Sequence, residues 1–302
     1  MRHWWKLILS NIKEKMIKKN EQQILPCFQP VDGIDQLLVI SYIFPSEVVH
    51  RTNCFLIGDK KLIIDPSPAN DEEYKRFVNT LRKSFEYNYT DIFITHHHVD
   101  HVNCVEKLAR EFNIPIILSE ASYDRLLQKN GSDFFANISI KLAREGDILT
   151  HWNGHEVKVY EIPGHDEGQL ALAPENMIWF LVGDLIQGPC IGPEFSGNTV
   201  AIATDEGDMK KYFLTLERVI RLNPKYLLAS HGLFPETVAT LEKALEHRKK
   251  KEREILELYK KGKTTDEIVA KIYKKVNEEL RYLAVDNIKA HLKKLKQEGK
   301  LD

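Results

Sequence analysis

No stretch of this chain approaches the roughly eighteen apolar residues that a membrane-spanning helix requires, so no transmembrane segment is expected. Cysteine is scarce as well. Cys27, Cys54, Cys104 and Cys190 share neither a pairing pattern nor a ligand spacing, which argues against a disulfide scaffold and points to free thiols in a reducing compartment, the cytoplasm. Net charge is nearly missing, at −1, but it is unevenly spread. Residues 1–20 carry six Lys/Arg against one Glu and residues 242–302 carry eighteen against twelve acids, which leaves about −12 on residues 21–241. An acidic body repels polyanions, so any nucleic-acid contact would have to recruit the basic tail. The first residues are apolar only briefly, and Lys-rich sequence without a small-residue cleavage site follows, which makes a poor secretory signal. Residues 1–20, with Trp4 and Trp5, read as a basic amphipathic segment that docks its apolar stripe on the body or a partner rather than on a membrane surface. The remaining composition, 43% hydrophobic and 29% charged in 302 residues, is that of a soluble globular chain of one large or two smaller domains.

Histidine is where the chain is rich. His96, His98, Asp100 and His101 put four metal-competent side chains into six residues. Residues 90–95 read as an apolar strand that runs into this cluster. Continued alternation would aim His96, His98 and Asp100 to one side and His97 and Val99 to the other, with His101 brought back by a helix starting near Val102. Imidazole and carboxylate without thiolate suit zinc, manganese or iron. Further along stand His165 in Pro-Gly-His, Asp184 in Val-Gly-Asp and His231 in Ser-His-Gly, each at the end of an expected strand. A lone histidine is usually a satisfied core or surface residue, and His3, His50, His97, His151, His155, His247 and His291 keep that reading.

Strands are expected over 37–44, 53–58, 61–65, 90–95, 115–118, 147–149, 157–161, 169–173, 178–182 and 226–229, and helices over 70–85, 102–112, 121–129 and 209–222. Turns at Gly58-Asp59-Lys60 and Pro174-Glu175-Asn176 favour antiparallel pairing. Periodicity alone supports a mixed α/β class. From Glu242 the composition changes: a charged helix over 248–259 ends at Gly262, Thr264-Thr265-Asp266-Glu267 carries a capping-box pattern, and a third helix covers 280–297. Three short helices of this kind suggest a helix-turn-helix or winged-helix unit, with no room for a full β wing after Leu295 and hence no specific DNA binding expected. The expected units are therefore residues 1–20, a catalytic body over 21–241 and a helical tail over 242–302.

The His-x-His-x-Asp-His run with its later partners resembles the metallo-β-lactamase superfamily over residues 53–231, and the tail, especially 287–295, resembles that of the mitochondrial beta-lactamase-like endoribonuclease group and its bacterial relatives. The resemblance implies an αββα sandwich with a small all-α winged-helix-like domain. It also implies that His96, His98 and His165 hold one divalent ion, that Asp100, His101 and His231 hold a second, and that Asp184 bridges the two, with Asp100 and Asp184 serving catalysis directly. Two ions, zinc or else manganese or iron, would share a hydroxide as nucleophile. Asp65, ending the strand Leu62-Ile63-Ile64, would orient a ligand rather than bind metal. In the relatives the tail forms one wall of the substrate cleft. Here Asp166-Glu167-Gly168 after His165 adds negative charge beside the metals.

The leading reading is a binuclear hydrolase acting on a small ester or thioester, or on a phosphodiester of single-stranded RNA; the second substrate would call on Lys249, Lys250, Lys251, Lys289, Lys293 and Lys294. A single-iron redox enzyme of the same fold, and a nucleic-acid-binding or assembly protein with a vestigial metal site, are the alternatives from other classes. Tyr123, Trp152, Phe195 and the loop 188–197 are candidates for lining a substrate pocket. Homo-oligomerisation stays open.

Overall fold

The computed structural model describes residues 29–31, 33–43, 51–59, 61–83, 89–187, 199–232, 236–274, 276 and 278–301. The basic segment 1–20, Cys27, Cys190, Phe195 and the loop 188–197 lie outside them. Two sheets form the body. The first has seven strands in spatial order β1 (Gln29–Pro30), β2 (Leu37–Ile43), β3 (Arg51–Ile57), β4 (Lys61–Ile64), β5 (Tyr89–Phe93), β6 (Ile116–Leu118) and β7 (Ile140–Leu142). The pairs up to β3–β4 are antiparallel, and those from β4–β5 onward are parallel. The second sheet runs β12 (Tyr226–Ala229), β11 (Trp179–Gly183), β10 (Leu170–Pro174), β9 (His155–Glu161) and β8 (Ile148–Trp152), antiparallel except for β11–β12.

Alternation along the central strands explains the layering. Leu62 and Ile64 of β4 face inward, onto Val157, Val159, Leu172 and Trp179 of the other sheet. Ile63 faces outward, into a cluster with Phe77 and Leu81 of α1 (Asp71–Lys83) and Leu108 of α3 (Val105–Phe112). On the far side Phe180, Val182 and Leu227 pack against Tyr212 and Leu216 of α5 (Met209–Leu222) and Leu241 and Ala244 of α6 (Val238–Lys260). Helices outside, two sheets inside: this is the αββα order expected.

α6 is one continuous helix from the body into the tail, so the expected boundary at 241/242 falls within it. It packs with α7 (Thr265–Ile272) and α8 (Arg281–Gln297) around Ile255, Ile268, Val269, Ala284 and Ile288. Thr264 caps α7 by the reciprocal bonds of a capping box, Glu267 N to Thr264 Oγ1 and Thr264 N to Glu267 Oε2. No strand follows α8 among the described residues, and none of their helices is long and apolar enough to cross a membrane. Cys54 and Cys104 are buried thiols, not joined in a disulfide.

Candidate metal centre

β4, β5, β11 and β12 all end at one edge of the sandwich, and the polar residues gather where they stop, the usual place for a site carried on a sheet scaffold. β5 runs out through Ile94 and Thr95 to His96 and His98. Extended alternation stops there. Asp100 and His101 sit in a one-turn helix, α2 (Val99–Val102), that begins earlier than expected and is separated from α3 by Asn103 and Cys104. Helical turning, not strand alternation, therefore brings Asp100 and His101 to the centre. β11 bulges between Leu181 and Gly183, and Gly183 at φ +52° turns Asp184 inward. Gly164 at φ +147° lets the turn before His165 lie against α5, where an added Cβ would come within 2.4 Å of Tyr212 Cα.

Seven side chains meet in two groups. His96, His98 and His165 offer ligand atoms within 4.8 Å of one another, and so do Asp100, His101, Asp184 and His231. In the first, His98 Nδ1 lies 2.9 Å from His96 Nε2 and 3.1 Å from His165 Nε2. In the second, His231 Nε2 lies 3.1 Å from both Asp100 Oδ2 and Asp184 Oδ1. Asp184 spans the pair: Oδ1 faces His231 and His101, while Oδ2 lies 3.7 Å from His165 Nε2.

The outer ring nitrogens are held by neighbours that fix the tautomers. Asp65 Oδ2 accepts from His101 Nδ1 at 2.8 Å, and Asp65 also takes Thr95 N and Thr95 Oγ1. Ala201 O accepts from His165 Nδ1 at 2.8 Å. Glu206 Oε2 lies 2.9 Å from His98 Nε2. His101 Nε2 and Asp184 Oδ1 are fully buried and face each other at 3.5 Å, but neither makes a hydrogen bond of good geometry among the described residues. Orphaned buried donors and acceptors of this kind, converging from imidazole and carboxylate, fit a divalent cation.

Electrostatics say the same. Burial, with the neighbouring imidazoles, holds His96 well below the usual histidine range and His165 down at about 4, so both present neutral rings. In the second group burial opposes charge, yet Asp184 and Asp100 outweigh it, pushing His231 up to about 10 and His101 well above its ordinary range. That half of the site demands positive charge, which protons supply when no cation does.

His97, expected to point away, is buried beside His98, their ring centres 5.0 Å apart, with its Nδ1 3.0 Å from Asp166 Oδ2 and its Nε2 3.4 Å from Glu206. Burial works against its protonation, but those two carboxylates raise it to about 9. Asp166, noted in the sequence only as added charge, thus holds His97, and Glu206, which carried no signal there, holds both His97 and His98 from the wall of a cavity. The cavity, about 500 Å³, opens beside the site and is lined by His98, Asp100, Arg125, Gln128, Lys129 and Glu206. Arg125, Gln128 and Lys129 share one face of α4 (Glu120–Asn130) by their i, i+3, i+4 spacing, a signal the sequence did carry. Two expected lining residues lie elsewhere: Trp152 is buried between the sheets and Tyr123 stacks on Phe135 in the outer core.

The tail lysines divide. Lys294 is buried and spent on Glu252 and Glu298, at 2.7 and 2.9 Å, so it cannot meet a nucleic acid. Lys249 pairs with Glu217, Lys251 with Glu254, and Lys293 stands 3.8 Å from Asp208. Lys250 and Lys289 are exposed.

Residues 48–231 match the Metallo-beta-lactamase superfamily and residues 264–302 the Beta-lactamase associated winged helix domain. The chain is 25% identical over 262 residues to the Beta-lactamase-like protein 2 homolog of Drosophila melanogaster, covering 83% of this chain and 84% of that one. It is 27% identical over 171 residues to the Hydroxyacylglutathione hydrolase of Bdellovibrio bacteriovorus, covering 56% and 57%. A Beta-lactamase domain protein from Burkholderia ambifaria shares the fold at a TM-score of 0.74 and 17% identity, over 90% of this chain and 89% of that one.

Proposed function

This chain belongs to the metallo-beta-lactamase superfamily of hydrolases, and on that premise we propose that it uses two divalent cations, zinc before manganese or iron, to hydrolyse an ester or thioester of a small acidic molecule. The observation that carries the reading is the division of Asp184, one oxygen toward each cluster. Bound there, the cations would supply Lewis acidity, making water a nucleophile at neutral pH and polarising the group under attack. The chain's own part is to orient and to charge-match. Asp65, Ala201 O and Glu206 hold His101, His165 and His98 by the ring nitrogen that faces away from the centre. Asp100 and Asp184 bring the negative charge that two cations require. The cavity is of small-molecule size, and Arg125 and Lys129 at its rim are suited to a carboxylate or phosphate on the substrate.

Single-stranded RNA is the second reading, supported by the match of the tail to the winged-helix family. It is weakened by the burial of Lys294 in its pair with Glu252, whereas Lys249 and Lys293 stay partly exposed in surface pairs that a phosphate could displace. The zinc-loaded protein should therefore be assayed on a hydroxyacylglutathione thioester and on a labelled single-stranded RNA, beside Asp184→Asn and Arg125→Ala. Thioester turnover is expected to fall about a thousandfold or more in Asp184→Asn. In Arg125→Ala, KM is expected to rise with kcat nearly kept. RNA cleavage without thioester turnover would overturn the substrate class, and inertness toward both would overturn the reading.

A further inference from the structure

Residues 200–208 run past the turn that carries His165 and bear two of the groups that orient the three-histidine cluster, Ala201 O on His165 and Glu206 on His98. This stretch belongs to no strand or helix of its own. It is held from behind by the tail. Arg248 of α6 donates through Nη2 to Val200 O and through Nη1 to Asn287 Oδ1 at 3.0 Å. The same Asn287 oxygen, from α8, accepts Ile202 N at 3.2 Å. The residues on either side of Ala201 are thus pinned by two buried tail side chains, 2% and 8% exposed. At the other end of the stretch Gln297 Nε2 reaches Asp208 Oδ2 at 3.5 Å, and Asp208 N donates to Gly164 O, the residue before His165. The fit there is close: a Cβ on Gly207 would meet Gly164 O and His165 O at 2.5 Å.

Arg248 has no carboxylate partner among the described residues; Nη1 and Nη2 go to an amide and a carbonyl oxygen, Nε is buried without a hydrogen bond among those residues, and the guanidinium stands 5.6 Å from the Tyr212 ring centre. A buried guanidinium so placed is a poor way to fill space, since an apolar side chain would do so without desolvating a charge. What it does that an apolar residue cannot is fix two oxygens at set positions.

We propose that Arg248 and Asn287 are positioning residues for the three-histidine half of the site. Through residues 200–202 they hold the Ala201 carbonyl against His165 Nδ1–H, which leaves Nε2 directed at the centre. In the other half His101 takes its orientation from Asp65, 2.8 Å from its Nδ1 at the end of β4, and within the three-histidine half only His96 is met from the body's own strand ends, by Thr95 Oγ1 at 3.1 Å from its Nδ1. Loosening the tail should therefore weaken one half and spare the other. The inference rests on the two-cation reading, with His165 as a ligand.

The test is a zinc titration of the full chain against a chelating dye, with bound zinc counted by mass spectrometry. It compares wild type, Asn287→Ala, Asn287→Asp and Arg248→Met, with folding checked by circular dichroism of the metal-free proteins. In Asn287→Ala one of two sites is expected to lose about tenfold or more in affinity while the other stays within twofold. Asn287→Asp, which keeps an acceptor oxygen, should recover most of it. In a His165→Ala background, Asn287→Ala should have no further effect. If Arg248→Met does not fold, the Asn287 pair decides alone. Two sites unchanged, two sites weakened together, or an effect that persists without His165 would overturn the inference. A wild type that takes up fewer than two ions would instead overturn the two-cation reading, and this inference with it.

Discussion

Asp65 occupies the left-handed region at φ +50°, a conformation that aspartate tolerates better than most side chains but that still carries strain. Its carboxylate accepts from Thr95 N, Thr95 Oγ1 and His101 Nδ1, and Ser230 Oγ stands 3.4 Å away. One residue thereby ties the ends of β4, β5 and β12 together and sets the His101 tautomer. Asp65→Ala is expected to lower zinc affinity about 10–100-fold. A chelator-competition titration measures it, and an unchanged affinity would show that His101 needs no such partner. Asp65 was legible because it closes an apolar strand, and the seven residues that meet were legible because their spacing is local or strand-terminal. Glu206 was not. A carboxylate in an acidic loop has no periodicity to mark it, and its histidine partners lie 108 and 109 positions away. Arg248 and Asn287 were hidden for a related reason, since a charged helix face reads as solvated until its neighbours are known.

Among the elements, α6 and α8 share a buried polar seam. Glu252 Oε2 lies 3.2 Å from His291 Nδ1, and Glu252 Oε1 lies 2.7 Å from Lys294 Nζ. Burial pushes His291 down to about 4, with the bond to Glu252 only partly opposing it. In the unfolded chain a histidine titrates near 6.5. Between those values the unfolded state holds the extra proton, so stability is full above about 6.5 and declines as pH falls toward about 4. The loss is at most about 3 kcal/mol. Urea unfolding between pH 7.5 and 5 should therefore show a shallower decline in His291→Gln than in wild type. Parallel declines would sink the assignment. Long periodic elements were the readable ones: α5 runs over 209–222 as expected, and the Thr264 capping box is present. β1 and β7, of two and three residues, gave no alternation to read, and α6 begins ten residues before its charged stretch does.

For the whole molecule, the site is a concentration of charge at a buried edge where, with no cation bound, burial is outweighed by Asp184 and Asp100, which raise His231 to about 10 and His101 well above the usual histidine range. A ligand that binds only the folded state stabilises it by mass action, by about 2.7 kcal/mol at a hundred times Kd. Stripping the protein with a chelator should lower Tm by several degrees and zinc should restore it, with Asp184→Asn showing a smaller recovery by calorimetry. No change in wild-type Tm on zinc addition would argue that the cluster holds no ion. The continuity of α6 bears on how such a protein is made. A ribosome works from the N-terminus, so every one of the seven clustered residues, up to His231, is synthesised before Arg248 and well before Asn287. The growing chain thus passes through an interval in which all seven exist and the segment beside His165 is still unbraced. On the two-cation reading, an ion captured in that interval would meet a site with one firm wall and one loose one, and the full grip on it would be the last property the growing chain acquires.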